Sequence, residues 1–159
     1  MDIDQYDNFV LVPALKLVNL YSPSAHVLLL GTAVKESELK YIKQEGSGIA
    51  MGFPQMEEAT HIDCQRFLNR YDNKVLKNSV LAACFYECFP SSDALIHNLR
   101  YSIIMARIKY HMIIEPLPTW NDAAGMAQYS VKYYNAGGKA NINDSQRCFE
   151  TIIANRPQG

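Results

Sequence analysis

The stretch Leu28 to Thr60, LLLGTAVKESELKYIKQEGSGIAMGFPQMEEAT, decides how the rest of the chain is read. It opens as an apolar run with the character of a buried helix and closes that run in Lys35-Glu36-Ser37. A turn marked by Gly46, Gly48 and Gly52 follows, then Gln55, then a new helical pattern from Met56. A carboxylate at the end of an apolar helix is half withdrawn from water, which penalises its charged form and raises its pKa. That is the property a general acid needs near neutral pH. The glycines permit positive φ and close approach of backbone to a ligand, as the floor of a groove requires. The plainer reading of the same residues is an amphipathic helix with Glu36 at a solvated end.

Working outward, residues 3 to 20 form a mostly helical pattern that Pro13 must kink or restart. Ser22-Pro23-Ser24 is a break, with Ser22 or Ser24 as N-cap of a helix running to Ser37. Residues 38 to 55 read as irregular, with at most a short hairpin. Helices are expected over Glu57 to Tyr71, Val75 to Phe89, and Ala94 to Ile114, the longest, with Leu95, Leu99, Ile103, Ala106 and Tyr110 as its buried stripe. Asn121 or Asp122 caps a further helix to about residue 134, which ends at Asn135-Ala136-Gly137-Gly138. Asn143 or Asp144 begins a last helix to about Asn155. The expectation is one mostly α domain over residues 1–159, with about seven helices and an irregular or short-hairpin segment after the helix that carries Glu36.

A chain of 159 residues is long enough to bury its own core. Hydrophobic residues at 48% and charged residues at 19% suit an ordinary globular domain. A formal charge of −1 leaves no basic footprint for nucleic acid or an anionic membrane. The four cysteines, Cys64, Cys84, Cys88 and Cys148, lack metal-ligand spacing and read as free thiols. The acidic start Met1-Asp2-Ile3-Asp4 lacks the positive region of a signal peptide, and no apolar run approaches a bilayer span. The expectation is a protein made in a reducing cytoplasm, with no metal, cofactor, nucleic-acid partner or membrane insertion.

Three pieces, Glu36-Ser37, Ala50-Met51-Gly52-Phe53-Pro54-Gln55 and Tyr134-Asn135-Ala136-Gly137, resemble in order and spacing the lytic transglycosylase branch of the lysozyme superfamily, of the soluble-lytic-transglycosylase type. Members carry a Glu-Ser pair at a helix end, a Gly-x-x-Gln turn and a downstream Tyr-Asn-Ala-Gly. The layout is similar to small phage-encoded proteins of this superfamily. Ile49 stands where the family has glycine, Pro54 replaces a methionine, and Gly138-Lys139 replaces a common Pro-Gly. The resemblance implies a lysozyme-like fold and cleavage of peptidoglycan glycan strands between N-acetylmuramic acid and N-acetylglucosamine. It makes Glu36 acid and then base, with Ser37 orienting the sugar and Gln55 touching it from the groove wall. It has Tyr134 holding the acid by its phenol and Asn135 shaping the loop beneath. It implies a phage lysis enzyme or virion component, with tail proteins as partners.

Residue by residue, plainer roles stand beside these. Gln55 reads equally as a partner of a helix start, Tyr134 as a core tyrosine and Asn135 as a left-handed helix cap. Glu57 and Glu58 suit the first turn of a helix. His61, His97 and His111 are scattered, with no nucleophile nearby. Two other functions stay open. One is a non-catalytic lysozyme-like structural or glycan-binding protein. The other is a hydrolytic muramidase in which Glu45, on the glycine loop, is a second carboxylate that activates water.

Overall fold

The structure, a computed structural model, describes residues 1–44, 46, 48–135 and 141–155. Nine α-helical segments are described: α1 (Ile3–Tyr6), α2 (Val12–Leu17), α3 (Pro23–Ser37), α4 (Glu58–Leu68), α5 (Lys74–Ala83), α6 (Ala94–His97), α7 (Leu99–His111), α8 (Ala123–Tyr133) and α9 (Ile142–Ala154). Among the described residues there is no β-strand, only isolated bridges pairing Met51 with Lys43 and with Met56. The domain is all-α, as the apolar periodicity implied. No described helix is long and apolar enough to cross a membrane.

α1 and α2 are one helical arm joined by a π turn over Asp7–Leu11, where Val12 N–H reaches the Asp7 carbonyl. Pro13 has no N–H to give Phe9, and its ring crowds that carbonyl. The chain absorbs the misfit by widening one turn instead of breaking. α3 begins at Pro23, its free end closed by Ser22, whose hydroxyl accepts from Ala25 N–H at 3.0 Å.

Two helices form the centre. In α3 every residue from Ala25 to Ala33 is buried, and in α7 every residue from Tyr101 to Ile108. α7 is therefore buried all round, where a single stripe was expected. α3 packs on α7, α8 and α9, while α7 also packs on α2 and α4. The approach of α3 to α9 is set by Gly31: a Cβ there would lie 2.1 Å from Phe149 Cε1. Phe149 and Ile152 supply the buried stripe of α9.

The expected helix over Ala94 to Ile114 is two helices. Asn98 is extended, and its side chain accepts from Tyr101 N–H at 3.0 Å, so it caps a new start instead of continuing the old helix. The expected helix to Phe89 stops at Ala83. Arg100 Nη1 donates to the Ala83 carbonyl at 2.8 Å, and Asn98 Nδ2 to Cys84 at 3.3 Å. These side chains satisfy the carbonyls left over at a helix end. α4 likewise ends at Leu68, short of Tyr71. Asn141, not Asn143 or Asp144, caps α9.

Candidate functional site

α3 ends where the sequence places its acid. Glu36 is half-buried one residue before the last helical position, and Glu38 closes the helix in the left-handed conformation at φ 50°. Leu39 follows at φ 53°, with its side chain buried. Two successive non-glycine residues in that region cost energy that the surrounding packing must hold. They turn the chain sharply away from α3 and leave Glu36 at the lip of the core instead of inside it.

Burial pushes the Glu36 carboxyl up from the ordinary glutamate range, opposed by the Asn135 hydrogen bond and the charges of Lys35 and Lys109. The Asn135 side-chain amide donates from Nδ2 to Glu36 Oε1, joining the end of α3 to the residue just past α8. Asn135 is not left-handed, so the helix-cap reading does not hold for it. It is the residue that grips the acid.

Tyr134 was expected in that role and does not fill it. Its ring is buried in the core, 5.3 Å from that of Tyr110, and its hydroxyl has no hydrogen-bond partner among the described residues. Burial drives the phenol far up from the ordinary tyrosine range. A phenol that is neutral, buried and unpaired is a packing group. An unmade hydrogen bond costs about 1–3 kcal/mol, which the ring contacts must offset.

Ser37 also turns inward. Its hydroxyl donates to the Ala33 carbonyl at 2.9 Å and accepts from Leu39 N–H at 3.3 Å, and the residue is 3% exposed. It stabilises the helix end and the strained turn after it, and presents no hydroxyl to a substrate.

Gln55 stands on the glycine turn, which bonds to the segment leaving α3 through Gly52 N–H and the Ile42 carbonyl at 2.8 Å. Gly52 has φ +72°, and a Cβ there would lie 2.1 Å from Ser102 Oγ and 2.7 Å from the Leu95 carbonyl. Only glycine fits. Gln55 itself is left-handed at φ 50°, and its Nε2 donates to the carbonyls of Gly52 at 2.7 Å and Tyr41 at 3.2 Å. The amide thus ties the glycine turn to the segment leaving α3. Left-handed backbone thus occurs at Glu38-Leu39, directly after the acid, and again at Gln55 on the glycine turn.

Lys109 is the residue that the sequence reading passed over. Its Nζ donates to the Tyr134 carbonyl at 2.9 Å and sits 4.0 Å from the centre of the Tyr134 ring. Burial lowers its ammonium from the ordinary lysine range, with Glu36 among the groups opposing this. Lys109 therefore anchors the backbone that carries Asn135 and adds positive charge near the acid. The signal was a lysine within the apolar run Ile103 to Tyr110. Tyr110, next to it, shares a 2.8 Å hydrogen bond with Thr32 Oγ1, one turn before Glu36 on α3.

Glu45, Ala136, Gly137, Gly138 and Lys139 lie outside the described residues. His61 is a core histidine, 2.8 Å from the Tyr101 hydroxyl. A cavity of about 490 Å³ lies elsewhere, against α1, α3 and α9, and is lined by Asp7, His26 and Asn155 among others. Among the described residues no three of His, Cys, Asp or Glu gather as metal ligands. Comparison of the chain with models of protein families, with curated proteins and with solved structures finds no match.

Proposed function

We propose that this chain is a peptidoglycan lytic transglycosylase of the lysozyme-like helical kind. The observation that carries the reading is Glu36: a carboxyl at the mouth of a buried helix, raised by burial and gripped by one neutral amide. Such a group is protonated closer to neutral pH than an ordinary glutamate and can give its proton to a glycosidic oxygen. The Asn135 bond and the nearby ammoniums then favour the carboxylate that remains. That carboxylate takes the proton of the muramyl C6 hydroxyl as this oxygen closes on C1. One carboxyl thus serves as acid and base, no protein nucleophile is required, and water is not consumed. The order Glu36-Ser37, Gly52 to Gln55, Tyr134-Asn135 supports the same reading, since the chain folds to bring Glu36 against Asn135. The substrate is the glycan strand. Delivery by a phage, from the virion or at lysis, suits a domain with no basic footprint for an anionic wall.

A second reading is a glycan-binding or virion structural domain of the same fold. The inward-turned Ser37 hydroxyl and Tyr134 phenol favour it, since both are withdrawn from any substrate. Mass analysis of muropeptides after incubation of cell walls with purified protein separates the readings. The proposal expects 1,6-anhydro ends, lighter by one water than reducing ends. It also expects Glu36→Gln to lower turnover by about 10²–10⁴-fold. Reducing ends would make the enzyme a muramidase, with Glu45 the first residue to test. Binding without either product would leave the structural reading.

A further inference from the structure

Arg107, on the buried helix α7, is 9% exposed. Its Nε donates to the Leu20 carbonyl at 3.3 Å, while its Nη1 is buried and has no hydrogen-bond partner among the described residues. No carboxylate of the described residues forms an ion pair with it. A guanidinium cannot shed its proton to escape burial as a lysine or histidine can. A buried charge of this kind is ordinarily paired.

Arg107 forms part of the wall of a cavity of about 160 Å³, with Tyr110, His111, Tyr129 and the segment from Ile113 to Leu117. The other polar groups there are largely committed. The Tyr110 hydroxyl is bonded to Thr32, and the Tyr129 hydroxyl donates to the Glu115 carbonyl at 2.9 Å. Glu115 also borders the cavity, yet its carboxylate is held at the surface by Lys132 Nζ at 2.7 Å and by the Tyr133 hydroxyl. The His111 ring remains, and burial and the adjacent Arg107 charge hold it below the usual histidine range. The cavity therefore offers the permanent positive charge of Arg107 beside the His111 ring, and no carboxylate of the described residues forms an ion pair with that charge.

We propose that this cavity is a binding site for a small carboxylate, with Arg107 as its counter-ion. One guanidinium balances one negative charge, and its planar donors match a planar carboxylate. A phosphate dianion would leave a second charge uncompensated in a space with one cation. The volume, about 160 Å³, suits an acetate- or lactate-sized group. The site is separate from Glu36, so it stands whether or not the chain cuts glycans.

The test uses the intact protein and acetate, with sodium chloride and phosphate compared at matched ionic strength and pH 7. Acetate is expected to move the Arg107 Nε–H and His111 ring resonances along a saturable curve. At about ten times its Kd it should raise Tm by roughly 3–6 °C, the ligand binding the folded state alone. Arg107→Met keeps the stem and removes the charge. It should abolish the acetate response while leaving Tm in chloride unchanged or higher, because an unpaired buried charge has gone. A linear response equal to that of chloride overturns the site, as does an unchanged acetate effect in Arg107→Met. Phosphate binding more tightly than acetate overturns the assignment to carboxylates.

Discussion

Replacing Asn135 with alanine isolates the contact on which the site depends. The amide makes one hydrogen bond to Glu36 Oε1, and it favours the charged form of the acid. A hydrogen bond to a charged group is worth about 1.5–3 kcal/mol, and 1.36 kcal/mol corresponds to a factor of ten in a dissociation constant. Glu36 keeps some contact with water, so the lower end applies. The acid dissociation constant of Glu36 should fall roughly tenfold in Asn135→Ala, moving its titration further up from the ordinary glutamate range. The charges of Lys35 and Lys109 remain and limit the change. The assay is a pH titration of the Glu36 side-chain carboxyl ¹³C resonance, which needs no substrate. If the chain turns over glycan strands, its activity profile should move upward in pH with the same midpoint. Adding Asn135→Ala to Glu36→Gln should cost little further activity, since the amide acts through the carboxylate. A Glu36 titration that stays put or falls in Asn135→Ala would refute the reasoning, and would place the control of the acid in burial and lysine charge alone.

Three further outcomes follow from the same geometry. Glu36→Gln should be more stable than the parent at neutral pH by on the order of 1 kcal/mol, because a half-buried charge becomes a neutral amide. The folded-state pKa of Glu36 is raised, so its favourable contribution is complete below the ordinary glutamate value and is lost as pH rises through the folded value. The advantage of the glutamine variant should therefore vanish in acid and level off above that window, as urea unfolding at several pH values would show. Gly52→Ala should destabilise by roughly 2–5 kcal/mol, combining a left-handed backbone with a Cβ placed against the Leu95 carbonyl; a loss under 1 kcal/mol in urea unfolding would contradict the turn described. Thiol titration should count four free cysteines after unfolding, with exposed Cys88 reacting first in the native protein. Cys64 and Cys84 should react last, their thiols pushed up by burial to about 12 and about 11, and fast modification of either would contradict the packing.

The fold was legible where one physical rule acted alone. Serine before proline announced the start of α3, and the apolar run after it could only be buried. It was less legible where a side chain from a distant element closed a helix end. Nothing local in Val75 to Phe89 says that the helix stops at Ala83, because the groups that cap its carbonyls are Asn98 and Arg100. The same Asn98 splits the run from Ala94 to Ile114, and it reads as an ordinary helical residue until its side chain is seen on Tyr101 N–H. The apolar spacing of Leu99, Ile103, Ala106 and Tyr110 marks one stripe of α7, but Arg107 and Lys109 between them also turn inward. Both are withdrawn from water, each with a backbone carbonyl as its hydrogen-bond acceptor.

The site shows why a motif locates residues better than it assigns their roles. Tyr134 and Asn135 are adjacent, and which of them reaches Glu36 depends on the direction the chain takes as it leaves α8. A phenol buries far more apolar surface than an amide, so packing claims Tyr134 for the core beside Tyr110. The smaller polar neighbour is left at the lip, where the half-buried carboxylate needs a donor. Lys109 fixes this choice by bonding the Tyr134 carbonyl and covering its ring, which leaves Asn135 directed at the acid. The same division explains Ser37, whose hydroxyl is consumed by the helix end and the strained turn that follows it. An acid at the boundary of a core is held by whichever neighbour the core does not claim, and in this chain that neighbour is the asparagine.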